Sequence, residues 1–113
     1  MRLIQYVRNR KGQRIGCVTA GLYNTNEIHM GWSQCAISKG DRFNRQFALL
    51  KAIGREQSDK HFISCTDLAY DVKDKMGIMI PTKVLKCLSQ MLVRANKYFF
   101  KYNRNISNST IGI

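Results

Sequence analysis

The chain of 113 residues predicts a single α+β domain in which a three-stranded antiparallel β-meander packs against about three α-helices, the last being the longest. Apolar and polar residues alternate with a period of two up to residue 37, and after residue 40 they repeat with the helical period of 3.6. Hydrophobic residues make up 44% of the chain, which suffices for one core. We expect the domain to span residues 1–102 and residues 103–113 to form a flexible tail.

Three strands are predicted in the first third of the chain. Residues 3–7 form the first strand, residues 14–23 the second and residues 27–37 the third. The segment 8–14 joins the first two strands as a polar turn, because Asn and Gly residues favour turn conformations. The sequence therefore predicts consecutive hairpins, which give antiparallel pairing.

The first helix is predicted between residues 41 and 58. Its large apolar residues recur on one face, which we expect to be the buried one: Phe43, Phe47, Leu50 and Gly54, widened by Leu49 and Ile53. We expect Trp32, Phe43 and Phe47 to hold the join between sheet and helix.

Asp41 is the predicted N-cap of this helix, because a carboxylate there accepts from first-turn amides and suits the positive end of the dipole. An anion site formed by Lys39, Gly40 and Arg42 is the alternative. The capping carboxylate would already occupy those amides, so a structural role is favoured.

Two further helices follow. The second is predicted over residues 65–76 and ends at Gly77. Pro81 begins the third, since proline is tolerated in a first helical turn. This last helix has one apolar face, and its other face is polar and basic, with Lys83, Lys86, Gln90, Arg94, Lys97 and Lys101.

The charge of the chain is strongly positive. Nineteen Lys and Arg residues oppose seven Asp and Glu residues, which gives a net charge of +12, and no acidic residue follows Asp74. Such an excess favours polyanionic partners and raises their association rates. Nucleic acid, DNA or RNA, is the first partner to expect, and an acidic host protein is the alternative.

Two basic segments are the candidate nucleic-acid contacts. A stripe of cations without balancing carboxylates on the last helix would follow a phosphate backbone, and a solvated helix face is its plain structural interpretation. Four cations in the first turn would lie across phosphates, although they would also discourage edge pairing. The predicted contact residues are Arg8, Arg10, Lys11, Arg14, Lys83, Lys86, Arg94, Lys97 and Lys101.

Catalysis has little support in the sequence. His29 and His61 are far apart, and neither has a partner at metal or triad spacing. The four cysteines are widely spaced and are expected to be buried free thiols of a reducing cytoplasm. We expect no enzyme, no cofactor, no metal and no membrane span, since no apolar run approaches about 20 residues.

Five short motifs stand out along the chain: Gly31-Trp-Ser-x-Cys35, Asp41-x-Phe43, Ala52-Ile-Gly-Arg55, Ile80-Pro81 and Arg94-Ala-Asn-Lys-Tyr-Phe99. Together they resemble those of small basic accessory proteins encoded by tailed bacteriophages. The resemblance covers most of residues 10–100 and departs at Gln34 and at residues 37–40. It implies an accessory protein in the cytoplasm of the infected bacterium, and it supplies no activity.

Overall fold

A computed structural model describes residues 2–23, 27–35, 42–58, 63–64 and 77–111, with side chains up to residue 99. In chain order the elements are β1 (Arg2–Arg8), β2 (Arg14–Leu22), β3 (Ile28–Gln34), α1 (Arg45–Gln57), β4 (Ile63–Ser64) and α2 (Thr82–Ile111). The predicted α+β class and antiparallel meander are confirmed.

The sheet has the order β1-β2-β3-β4, so the short strand β4 extends the predicted meander by antiparallel pairing with β3. Two helices are present among the described residues, and the helix predicted over residues 65–76 lies outside them. The longest helix is the last one, as predicted.

Successive residues of β2 point to opposite faces of the sheet, and each face is covered by a different helix. Val18 and Ala20 belong to the larger core cluster, together with residues of α2, whereas Cys17 packs with Ala48 and Ala52 of α1. The sheet is therefore the central layer between α1 and α2.

Helix α2 is amphipathic, and it packs on the sheet mainly through large apolar side chains. Pro81 precedes its first turn and accepts a hydrogen bond from the amide of Leu85, which agrees with the predicted start. The buried side chains recur at intervals of three or four residues and are Val84, Leu88, Met91, Ala95 and Phe99. The backbone is helical to Ile111, within the segment predicted as a tail, and the mobility of that segment stays a prediction.

The prediction of which face of α1 is buried is wrong. Phe47 and Leu50 are 67% and 65% exposed, whereas Ala48, Ala52 and Glu56 are buried. The helix lies so close to β3 that large side chains have no room between them. A Cβ atom at Gly31 would be 1.9 Å from the carbonyl oxygen of Ala52.

The predicted cap of α1 is also corrected. Asn44 is the N-cap, and its side-chain oxygen accepts from the amide of Phe47 at 2.9 Å. The helix begins later than predicted, and Asp41 lies outside the described residues. Asn44 takes the capping role that was predicted for Asp41, three residues later in the chain.

Polar contacts to α1 also join it to the sheet, in place of the predicted contribution of Phe47. The hydroxyl of Ser33 donates to the carbonyl oxygen of Ala48 at 2.9 Å, and the thiol of Cys17 donates to it at 3.3 Å. The Trp32 side chain belongs to the core on the α2 side, and the Arg55 guanidinium lies 4.0 Å from its ring centre.

Cys17 and Cys87 are free thiols, as expected, and of the described cysteines only Cys17 is fully buried. Cys35 and Cys87 are half-buried, and Cys65 lies outside the described residues. The expectation that all four are buried therefore fails for two of them, since Cys35 follows the end of β3 and Cys87 lies at the margin of the α2 contact face.

Candidate nucleic-acid interface

The β1–β2 turn is held by its own polar groups. The side-chain oxygen of Asn9 accepts from the amides of Lys11 and Gln13, both at 3.0 Å, and Gly12 has a φ of 78°. An Asx-type turn ending in a left-handed glycine suits these residue types. Arg8 braces the turn by donating to the carbonyl oxygen of Gly12 at 2.8 Å.

All four predicted contact residues of this turn are exposed: Arg8, Arg10, Lys11 and Arg14. A β-bulge at Ile15 interrupts the β1–β2 register, because Val7 pairs with Gly16 and Arg8 pairs with Arg14. The guanidinium of Arg14 then lies 4.2 Å from the ring centre of Tyr6. Tyr6 packs on the α1 side of the sheet.

On α2 the cationic face is opposite the buried face. Lys83, Lys86, Arg94 and Lys97 are all exposed, whereas the side chain of Lys101 lies outside the description. From the first to the last of the four exposed cations the helix rises about 20 Å. The predicted stripe is therefore geometrically present over this length.

Helix α2 packs across one face of the sheet, and one side of the helix contacts the edge strand β1. Arg94 donates to the carbonyl oxygen of Ile4 at 3.2 Å, and Gln90 accepts from the side-chain amide of Gln5 at 2.7 Å. The thiol of Cys87 is 4.0 Å from the carbonyl oxygen of Tyr6. The helix thus runs opposite to β1, with its first turn towards the β1–β2 turn.

This antiparallel arrangement brings the first turns of α2 to the end of the sheet that carries the β1–β2 turn. Lys83 and Lys86, in the first turns of α2, lie beyond Cys87 in the direction of Arg8, where β1 ends. We name the α2 cations together with the 8–14 turn the edge surface. Within it, the Arg14 guanidinium lies over Tyr6, on the α1 side of the sheet.

The edge surface is not neutralised by carboxylates in the part of the chain that is described. Glu27 and Glu56 are the acidic residues there, and both are already engaged. Glu27 contacts His29 at 3.0 Å, and Glu56 accepts from Arg2 at 2.9 Å. Within the described ranges, the cations of the edge surface therefore form no salt bridge.

A buried polar cluster was missed by the sequence analysis. The Glu56 side chain is fully buried, accepts two contacts from Arg2 Nε and one from its Nη2, and accepts from the Tyr23 hydroxyl at 2.5 Å. Burial and the hydrogen bond to Glu56 raise the pKa of Tyr23. The ring of Tyr23 stacks on His29 with centroids 4.4 Å apart.

The cluster ties the start of β1 to the end of α1. Arg2 and Glu56 are 54 residues apart in sequence, so no local pattern could have paired them. The polar groups of Arg2 and Glu56 satisfy each other by hydrogen bonding, which indicates a structural ion pair.

Few side chains among the described residues are suited to nucleophilic catalysis or to metal binding. Burial raises the pKa of both Cys17 and Cys87, which keeps the less reactive thiol form. No group of three or more His, Cys, Asp or Glu side chains in the described ranges is placed to hold a metal ion. None of the helices described is both long and apolar enough to span a bilayer.

No family model, curated protein or solved structure matches the chain. The class that the geometry itself defines is a three-layer α+β domain with exposed cations on α2 and on the β1–β2 turn. The resemblance to phage accessory proteins, the absence of catalysis and the identity of the partner stay predictions.

Proposed function

We propose that this protein binds nucleic acid without catalysis, through the edge surface. The single observation that supports the proposal is the antiparallel direction of α2 against β1, which brings the exposed cations of its first turns to the end of the sheet that carries the 8–14 turn. A duplex carries about one charge per 1.7 Å of axis, so a 20 Å stripe faces on the order of ten phosphates. Contacts of this kind would position the protein without reading bases.

The proposed setting is the cytoplasm of an infected bacterium, where the chain would act as a phage accessory protein in host takeover. This part of the proposal rests on the resemblance of the sequence motifs. The edge surface supports binding to DNA or RNA equally, because a phosphate backbone is common to both.

The proposal is tested by titrating labelled duplex DNA, single-stranded DNA and structured RNA between about 50 and about 200 mM salt. We expect binding to duplex DNA that weakens steeply with salt. The double variant Lys86→Gln/Lys97→Gln should lower duplex affinity and reduce the log–log salt slope by about two units, one for each phosphate contact.

The matched control compares two single variants, Lys86→Gln on the edge surface and Arg45→Gln on α1, each of which removes one exposed cation. We expect Arg45→Gln to keep its duplex affinity within twofold of the original protein, since α1 lies on the other face of the sheet. Equal losses in these two single variants would mean that net charge alone drives binding, and would overturn the edge surface.

The alternative function is inhibition or redirection of an acidic host protein of the transcription or defence machinery. Val93 favours it, because this apolar residue is 68% exposed beside the basic stripe, and a protein interface combines apolar and charged contacts. Affinity capture from bacterial lysate with and without nuclease distinguishes the two. A stoichiometric protein partner that survives nuclease supports the alternative.

A further inference from the structure

An open pocket of about 420 Å³ lies where β3 ends and α1 begins. Its volume falls in the range of small-ligand sites, about 300–1,000 Å³. The lining residues that bear on its chemistry are Gln34, Arg42, Phe43, Phe47 and Lys51. The pocket is on the α1 side of the sheet and is not part of the edge surface.

Two phenyl rings give the pocket an aromatic wall. Phe47 is 67% exposed, so the face of its ring is accessible to a ligand in the pocket. The half-buried Phe43 ring packs edge-on against Tyr6, with centroids 6.3 Å apart and planes at 87°. Arg45 donates to the Tyr6 hydroxyl at 2.8 Å, so the ring that supports Phe43 is itself held in place.

Two cations flank this wall. Arg42 and Lys51 line the pocket and are exposed, and no described carboxylate forms a salt bridge with either of them. An anion near the rings would therefore meet two available positive charges. The amide of Phe47 is occupied by the Asn44 cap, so an anion would depend on these side chains and not on that amide.

Gln34 adds an unused polar group. Its side-chain oxygen is buried and has no hydrogen-bond donor among the described residues. A buried acceptor without a donor costs roughly 1–3 kcal/mol. A ligand N–H that reaches Gln34 after a side-chain rotation would offset part of this cost.

From these groups we propose that the pocket binds one unstacked nucleotide of a single-stranded nucleic acid. The base stacks on Phe47, the adjacent phosphate meets Arg42 and Lys51, and the base edge is within reach of Gln34. Aromatic platforms beside cations are the usual basis of single-strand binding. The choice of nucleic acid as the partner rests on the proposed function, whereas the pocket is a separate surface.

The test measures the affinity of the full chain for a short labelled oligothymidylate and for a duplex of the same length. Phe47→Ala should weaken oligothymidylate binding by about tenfold, a value within the range for loss of one stacked base, and should leave duplex binding within twofold. The matched control is Leu50→Ala on the same helix, because Leu50 is 65% exposed and does not line the pocket.

The outcomes separate the two proposals. If Phe47→Ala and Leu50→Ala both bind oligothymidylate like the original protein, the pocket is overturned and the edge surface stands. If Lys86→Gln/Lys97→Gln leaves all binding unchanged while Phe47→Ala weakens it, the edge surface is overturned and the pocket stands. If the original protein binds neither probe, both are overturned, and a protein partner lost by Phe47→Ala would identify the occupant instead.

Discussion

At the scale of single residues, the most unusual feature is the fully buried Glu56 carboxylate. A buried charge is tolerated only when its oxygens are paired, and Arg2 together with Tyr23 supplies these partners. Gly21 leaves the room for them, since a Cβ atom there would lie 2.8 Å from Glu56 Oε2. Three residues distant in sequence thus depend on one another.

Tyr23→Phe should lower the free energy of unfolding by about 1–2 kcal/mol at neutral pH, because it removes a hydrogen bond to a charged group. The pKa of Tyr23 is raised in the folded state above the ordinary 10.0, first by burial and then by Glu56. The contribution of Tyr23 is therefore fully present below pH 10 and is lost as pH rises through the raised value.

Urea unfolding of the original protein and the Tyr23→Phe variant, measured from neutral pH to above pH 10, checks this expectation. The stability difference between the two proteins should narrow at the alkaline end. A difference that stays constant over the whole series would show that the Tyr23 proton is not linked to folding.

At the scale of elements, the two helices pack on the sheet by different means. Helix α2 buries large side chains such as Leu88 and Met91, as an amphipathic pattern predicts. Helix α1 instead brings its backbone against β3, with Ala48 and Ala52 in the contact and Gly31 opposite. Close approach, not apolar area, determines the orientation of α1.

Gly31→Ala should therefore destabilise the protein by roughly 3 kcal/mol, at the upper end of overpacking effects, because the new methyl group would overlap backbone atoms of α1. Gly54→Ala, on the solvent side of α1, is the matched glycine control. A Cβ atom at Gly54 meets nothing within 4 Å, so alanine there should stabilise by about 0.5–1 kcal/mol.

Chemical unfolding of these two glycine variants measures both effects under one set of conditions. A Gly31→Ala protein as stable as the original would mean that α1 does not lie against β3 at this position. The Gly54 variant reports the helix propensity alone, and its gain should appear whatever α1 contacts.

At the scale of the whole molecule, the chain has a net charge of +12. The two carboxylates among the described residues contact Arg2 and His29, so they offset little of the positive charge elsewhere in the described ranges. Self-repulsion of this kind destabilises the compact state and is screened by salt within a Debye length. An anionic partner would lower the same repulsion on binding.

Raising the salt concentration from low to about 0.15 M should accordingly raise the thermal midpoint by roughly 5 °C, the shift that about 1 kcal/mol gives in a domain of this size. The Lys86→Gln/Lys97→Gln variant should be more stable at low salt and should gain less from added salt. Circular dichroism melting curves provide the measurement, and a midpoint independent of salt would contradict the expectation.

Local periodicity determines the three predicted strands and the two faces of α2, and Pro81 determines the start of α2. These features were therefore predictable. The buried face of α1 was not, since periodicity identified Phe47 and Leu50 while the contact uses small residues opposite Gly31. The pairing of Arg2 with Glu56 spans half the chain, and the pocket combines the end of β3 with the start of α1. Sequence patterns carry no information on such long-range proximity.

The sequence by itself determined the α+β class, the antiparallel meander, the basic stripe of α2 and the excess of cations, because these follow from periodicity and composition. Only the tertiary structure decided that the first turns of α2 and the 8–14 turn lie at the same end of the sheet, and that Phe47 stays exposed in a pocket with Arg42 and Lys51. The physical reason is that packing distances between distant segments, set here by Gly31 and by the α2 contacts along β1, decide which faces are buried.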